Sequence, residues 1–128
     1  MPSFHSQQLN RNTMIQSKFQ FCIEACRECT VICHQCAVAC LHEKEVDHLR
    51  NCIQLNLECV ALCDAAVKVM SLDGRFSGET CRVCRDICNA CAEECEKHAA
   101  MGMDHCRECA ETCRRCAAAC EEMLASAA

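Results

Sequence analysis

Along this chain one apolar residue type, cysteine, recurs in steps of three, four and seven residues. The first run comprises Cys22, Cys26, Cys29, Cys33, Cys36 and Cys40, and the second Cys52, Cys59 and Cys63. A third holds Cys81, Cys84, Cys88, Cys91 and Cys95, and a fourth Cys106, Cys109, Cys113, Cys116 and Cys120. Steps of three and four gather side chains into one stripe on an α-helix, whereas a strand would scatter them over both faces. This is the heptad a/d pattern with cysteine where Leu or Ile would stand. The intervening residues are mostly Ala, Glu, Arg and Gln, all good helix formers, and the runs contain neither Gly nor Pro.

Breaks separate the runs. Ser71-Leu72-Asp73-Gly74 and Ser77-Gly78 punctuate the second junction, and Met101-Gly102-Met103 marks the third, with Asp104 expected as an N-cap. The first junction, His42 to Asp47, has no Gly or Pro and is inferred from the loss of phase between Cys40 and Cys52. The expected helices cover roughly 18–41, 47–71, 78–99 and 104–125, with residues 3–20 either extending the first or forming a short extra one. Runs one, three and four look like copies: CRECTVICHQCAVAC (26–40) and CRECAETCRRCAAAC (106–120) match at 9 of 15 positions. One amphipathic helix cannot bury its stripe alone. Four with short connections predict an all-α fold, an antiparallel four-helix bundle with a Cys-lined core, as a single domain over residues 1–128.

Composition sharpens the picture. The 128 residues include 19 Cys, 17 Ala and only 24 Leu, Ile, Val and Phe together, so cysteine must form much of any core. From Cys81 to Cys120 the only large aliphatic residues are Val83 and Ile87. Buried Cys can act as a small hydrophobe, but a whole core of it forfeits the packing Leu would give, with no gain unless the sulfurs bind something. The net charge of −5 and interspersed charges disfavour nucleic acid and anionic membrane partners. Neither an export signal nor a membrane span is visible, so the expected compartment is the cytoplasm, where thiols stay reduced and metal or redox chemistry is the better reading.

Disulfides suit the stripe poorly, because i,i+4 Cβ atoms lie roughly 5–6 Å apart and a disulfide wants about 3.5–4.5 Å. A bridging metal fits better. With bonds of about 2.3 Å, two sulfurs on opposite sides of one ion lie roughly 4.6 Å apart. Eight C-x-x-x-C pairs have this spacing, and the C-x-x-C steps between them let neighbouring ions share sulfurs. Charge selects the ion. Buried thiolates carry one negative charge each, which a monovalent ion cancels; Cu(I) is monovalent, soft and selected by thiolates. Zn²⁺ with four thiolates leaves two negative charges per site and needs four ligands to converge. A thioredoxin-type thiol redox enzyme or sensor would need its C-x-x-C in a strand–helix context, and ferredoxin-type iron–sulfur ligation needs a loop and Pro; both are missing.

A bundle lined by C-x-x-C and C-x-x-x-C repeats over residues 22–120 resembles the bacterial copper storage protein family, in its cytosolic branch. The resemblance implies a non-enzymatic protein holding many Cu(I) ions, on the order of one per core Cys, often as a homotetramer. Copper would be exchanged with a copper chaperone or a low-molecular-weight thiol. Zinc or cadmium sequestration by the same fold is the alternative, with a thiol redox role behind it. All 19 cysteines are the expected metal ligands.

The two ends of the bundle differ. Extending the stripes puts His48 before Cys52, His98 after Cys95 and Met103 before Cys106 at one end, and Ile15, Phe19, Met70, Met123 and Leu124 at the other. His48, His98 and Met103 are the expected ligands for copper passing in and out, since imidazole and thioether are soft, exchangeable donors, and the apolar end is expected to be a plug. His5, His34 and His42 lie off the stripes and read as surface residues, and His105 and Met101 sit near the expected mouth but off register, with a weaker role.

Overall fold

A computed structural model describes residues 2–127, with side chains over 19–126. The helices are α1 (Pro2–Leu41), α2 (Arg50–Ser71), α3 (Ser77–Ala99) and α4 (Asp104–Ala127), with a 3₁₀ turn at Val46–Leu49 leading into α2. The segment 3–20 thus continues the first helix. The side chains of His5 and Ile15 lie outside the described residues.

Each helix packs on two neighbours. α1 lies against α2 and α4, and α3 against the same two, so α1 and α3 sit diagonally across an antiparallel bundle. Every stripe turns inward, and all 19 cysteines are buried. No strand occurs among the described residues.

The helix ends explain how short connections hold this arrangement. At the end of α3, Met103 N–H bonds to His98 C=O (3.2 Å) and Gly102 N–H to Ala99 C=O (3.0 Å). This is a Schellman turn, with Gly102 at φ +96° in the left-handed position that glycine adopts without a Cβ penalty. The end of α2 repeats it: Gly74 N–H bonds to Val69 C=O and Asp73 N–H to Met70 C=O, both at 3.0 Å. Here the left-handed residue is Asp73 (φ 50°), a residue type that tolerates the region. Gly74 is needed for another reason, because a Cβ there would stand 2.9 Å from the Val69 carbonyl oxygen.

Asp104 is not the N-cap of α4. The Met103 carbonyl accepts from Arg107 N–H (3.2 Å), which makes Met103 the capping position and Asp104 the first helical residue. Its carboxylate takes the Arg107 guanidinium at 2.8 Å instead. The α3 turn ends on Met103 and so fixes where α4 can begin.

Candidate metal centre

The buried thiols meet across the bundle axis. Cys29 Sγ lies 3.7 Å from Cys59 on α2 and 3.8 Å from Cys113 on α4. Cys63 Sγ lies 3.5 Å from Cys84, 3.8 Å from Cys88 and 4.0 Å from Cys116. Contact even crosses the diagonal, with Cys26 and Cys84 3.9 Å apart. The spacing within one helix, expected to hold ions in pairs, is present at Cys29/Cys33 (3.8 Å) and Cys59/Cys63 (3.9 Å). Contacts between helices dominate, because a four-helix bundle brings all the stripes onto one axis.

Four-sulfur groups result. Cys26, Cys63, Cys84 and Cys116, one from each helix, have sulfurs mutually within 4.8 Å, as do Cys29, Cys63, Cys88 and Cys116. Two further groups are Cys29, Cys33, Cys59, Cys113 and Cys33, Cys91, Cys109, Cys113. Four thiols therefore do converge, contrary to the sequence-based objection to a tetrahedral ion. The groups overlap, however: Cys29, Cys33, Cys63, Cys113 and Cys116 each belong to two. Ions in adjacent groups must share sulfurs.

The separations also indicate coordination number. With bonds of about 2.3 Å a trigonal ion puts its sulfurs about 4.0 Å apart and a tetrahedral one about 3.8 Å, against about 4.6 Å for a linear one. Sulfurs at 3.5–4.0 Å are placed for ions of three or four ligands and not for linear pairs. They are also near van der Waals contact, so the metal-free core is filled by thiols and is not an open tube.

Acidity follows from the same crowding. Cys63, Cys88, Cys95 and Cys113 are pushed well above the ordinary thiol range by hydrogen bonds with neighbouring thiols and then by burial. Cys59 moves the other way, to about 7, with the Cys113 hydrogen bond the largest cause.

Cys52 joins this core, with its sulfur 3.5 Å from Cys95. Beside it lies a residue the sequence reasoning missed. Asn56 is fully buried; its Oδ1 accepts from Cys91 (3.1 Å) and Cys109 (3.2 Å), and its Nδ2 donates to Cys52 (3.8 Å). The signal was present, since Asn56 divides the seven-residue step from Cys52 to Cys59 into four and three.

At the end formed by the 41–50 and 99–104 connections, the expected trio is placed unevenly: His98 and Met103 are neighbours joined through their backbones, and His48 lies exposed on the 3₁₀ turn. His48 is exposed and faces Glu45 (3.5 Å), because a step of three, to Leu49, supplies the buried residue before Cys52. His98 bonds through Nε2 to Glu94 (2.9 Å), and Ala99 takes the stripe position. Met103 packs half-buried against the core as the α4 cap. The imidazole that meets the sulfurs is His105. Its Nδ1 lies 3.5 Å from Cys106, 3.6 Å from Cys36 and 4.0 Å from Cys40. Its Nε2 lies 3.3 Å from the Glu43 carboxylate. A carboxylate only accepts, so a neutral ring with its proton on Nε2 serves Glu43 and turns its Nδ1 lone pair toward three thiols. Burial lowers the His105 pKa, but Cys36 and Glu43 outweigh it and the net direction is upward. Its sequence signal was the step of four to Cys109. His34 and His42 are exposed, as expected.

Glu94 is a second missed residue at this end. It is buried, and it accepts from Asn51 (3.0 Å) and Lys97 (3.2 Å) as well as from His98. At the opposite end Phe19, Met70 and Met123 are buried and Leu124 is half-buried, in line with an apolar closure.

The sequence profile of the copper storage protein family matches residues 15–125. The chain belongs to the copper storage protein family. The Cu(I)-bound copper storage protein BsCsp3 of Bacillus subtilis is 44% identical and superposes with a TM-score of 0.78, covering 84% of this chain and 98% of that one. The Streptomyces lividans copper storage protein Ccsp, solved with 10 copper equivalents, is 38% identical with a TM-score of 0.82, covering 86% of each chain. In sequence, a cysteine-rich protein of Bacillus subtilis, YhjQ, is 46% identical over 77 residues, which is 60% of this chain and 71% of that protein. The Cys-lined bundle is thus the family's four-helix fold. No helix among the described residues is long and apolar enough to cross a membrane.

Proposed function

We propose that this chain stores and buffers Cu(I), holding on the order of one ion per core cysteine on thiolates shared between neighbouring sites. The carrying observation is the overlap of the four-sulfur groups: five sulfurs that belong to two groups each give a continuous array. Continuous sharing suits a monovalent ion, because each Cu(I) cancels the charge of one thiolate in a core where uncompensated charge is costly. All 19 cysteines are ligands in this reading, with His105 completing the outermost set of Cys36, Cys40 and Cys106.

Copper passes through the His105 end, where a half-buried imidazole oriented by Glu43 stands between solvent and the first thiols. Met103 packs nearby, His98 is engaged by the buried Glu94, and His48 contributes at most from the periphery. The protein acts as a store and not as a catalyst, folded as one bundle domain. It works in the cytosol, a reading supported by the S. lividans relative, described as cytosolic, and it exchanges copper with a chaperone or a small thiol. Assembly as a homotetramer is supported by the exposed apolar residues Val31, Val38 and Leu41 on α1 and Leu57 on α2.

Zinc or cadmium sequestration is the second reading, since four sulfurs within 4.8 Å also suit a tetrahedral ion. Anaerobic titration of the reduced protein separates the two. Saturation near one Cu(I) per thiol, with release of about one proton per ion, is expected. Tight binding of roughly four or five Zn²⁺ with weak Cu(I) binding would overturn the copper reading. A reversible disulfide at one exposed, acidic Cys would indicate redox sensing instead.

A further inference from the structure

The closed end of the bundle carries a sulfur that is not a thiol. The innermost four-helix layer takes one sulfur from each helix: Cys26, Cys63, Cys84 and Cys116. One layer further from the mouth, α1 supplies Cys22, α3 supplies Cys81 and α4 supplies Cys120. On α2 the residue one heptad beyond Cys63 is Met70. Met70 is fully buried, and its Sδ accepts the Cys81 thiol at 3.6 Å. Cys22 and Cys120 lie 3.7 Å apart in the same layer. The terminal layer therefore again draws one sulfur from each helix, in two contacting pairs, Cys81 with Met70 and Cys22 with Cys120, and the sulfur on α2 is a thioether.

We propose that Met70 is a Cu(I) ligand, closing the array at its sealed end in one layer with Cys22, Cys81 and Cys120. The assignment rests on the copper-storage reading and adds a donor to it. Its chemistry suits the position. Thiols in the middle of the array have sulfur neighbours on both sides along the axis, but those of the last layer have them on one side only. A thioether is soft enough for Cu(I) and carries no charge. It completes coordination there without adding a thiolate that would need its own cation. The two ends of the array are then terminated alike by neutral donors, imidazole at the mouth and thioether at the base. A Met serving only as gap-filler would need no sulfur contact, and Leu would fill the same space.

Selenium spectroscopy tests this directly. In a selenomethionine-labelled chain carrying Met14→Leu, Met101→Leu, Met103→Leu and Met123→Leu, selenium is confined to Met70 and the initiator. After anaerobic loading to saturation, X-ray absorption at the selenium edge should show copper as a bonded neighbour. In parallel, Met70→Leu in the otherwise native chain should hold one Cu(I) equivalent fewer against a competing chelator, whereas Met123→Leu holds the native number. Full copper content with no copper neighbour at selenium overturns the Met70 assignment and leaves the storage reading standing. Failure to take up copper at all overturns both, and is read from metal content before selenium is measured.

Discussion

Cys91 donates a hydrogen bond to Asn56 Oδ1 at 3.1 Å in the middle of the core, and the same oxygen accepts Cys109 at 3.2 Å. One amide thus occupies the stripe position where a further cysteine would stand, and both halves of it are partnered, since Nδ2 donates to Cys52. Asn56→Ala removes three partners and leaves a cavity, so the metal-free protein should lose about 1–3 kcal/mol of stability, measured by urea unfolding under reducing conditions. Asn56→Cys should instead raise the copper capacity by one equivalent.

Cys63 touches Cys59, Cys84, Cys88 and Cys116 and belongs to two four-sulfur groups. Cys40 stands at the end of its stripe, beside His105. Cys63→Ala should therefore lose more than one Cu(I) equivalent, and Cys40→Ala no more than one. Equal losses in the two variants would show that each thiol acts independently and that sulfurs are not shared.

The mouth discriminates between histidines. His105→Ala should slow Cu(I) uptake and release in stopped-flow exchange with a chelator, while His48→Ala, which removes an exposed side chain paired only with Glu45, should match the native rate. Glu43→Gln should give an intermediate effect, because an amide can present its oxygen to Nε2–H but no longer supplies the charge that keeps the ring so oriented.

Glu94 links stability to pH. Burial raises its pKa, but hydrogen bonds from His98, Asn51 and Lys97 outweigh burial and hold it below its ordinary 4.5. A carboxyl depressed in the folded state contributes stability above its unfolded pKa and loses that contribution as pH falls through the folded value. Metal-free protein should therefore lose stability below about pH 4.5. In Glu94→Gln that part of the pH dependence should flatten, as read from urea midpoints across the acid range.

Much of this molecule is legible without coordinates. The steps of three and four between cysteines dictate helices, because only a 3.6-residue period turns them into a stripe, and four stripes that cannot be buried singly dictate a bundle. The abundance of thiols, 19 against only 24 Leu, Ile, Val and Phe together, points to soft metal before any geometry is known. Where register left a choice between a step of three and one of four, the sequence was silent: Leu49 and not His48 turns inward, and Ala99 takes the stripe position while the largely covered His98 is engaged by Glu94.

What the tertiary structure alone decided is which sulfurs meet. Periodicity describes one helix at a time, whereas the four-sulfur groups draw on several helices, and their overlap depends on the axial stagger of α1 to α4. The same stagger sets His105 on α4 against Cys36 and Cys40 on α1, and Met70 on α2 against Cys81 on α3. The chain's pattern determined that its thiols line an interior; the packing of that interior determined which of them join into overlapping four-sulfur groups, because contact between helices is a property of their relative position and not of any one helix's sequence.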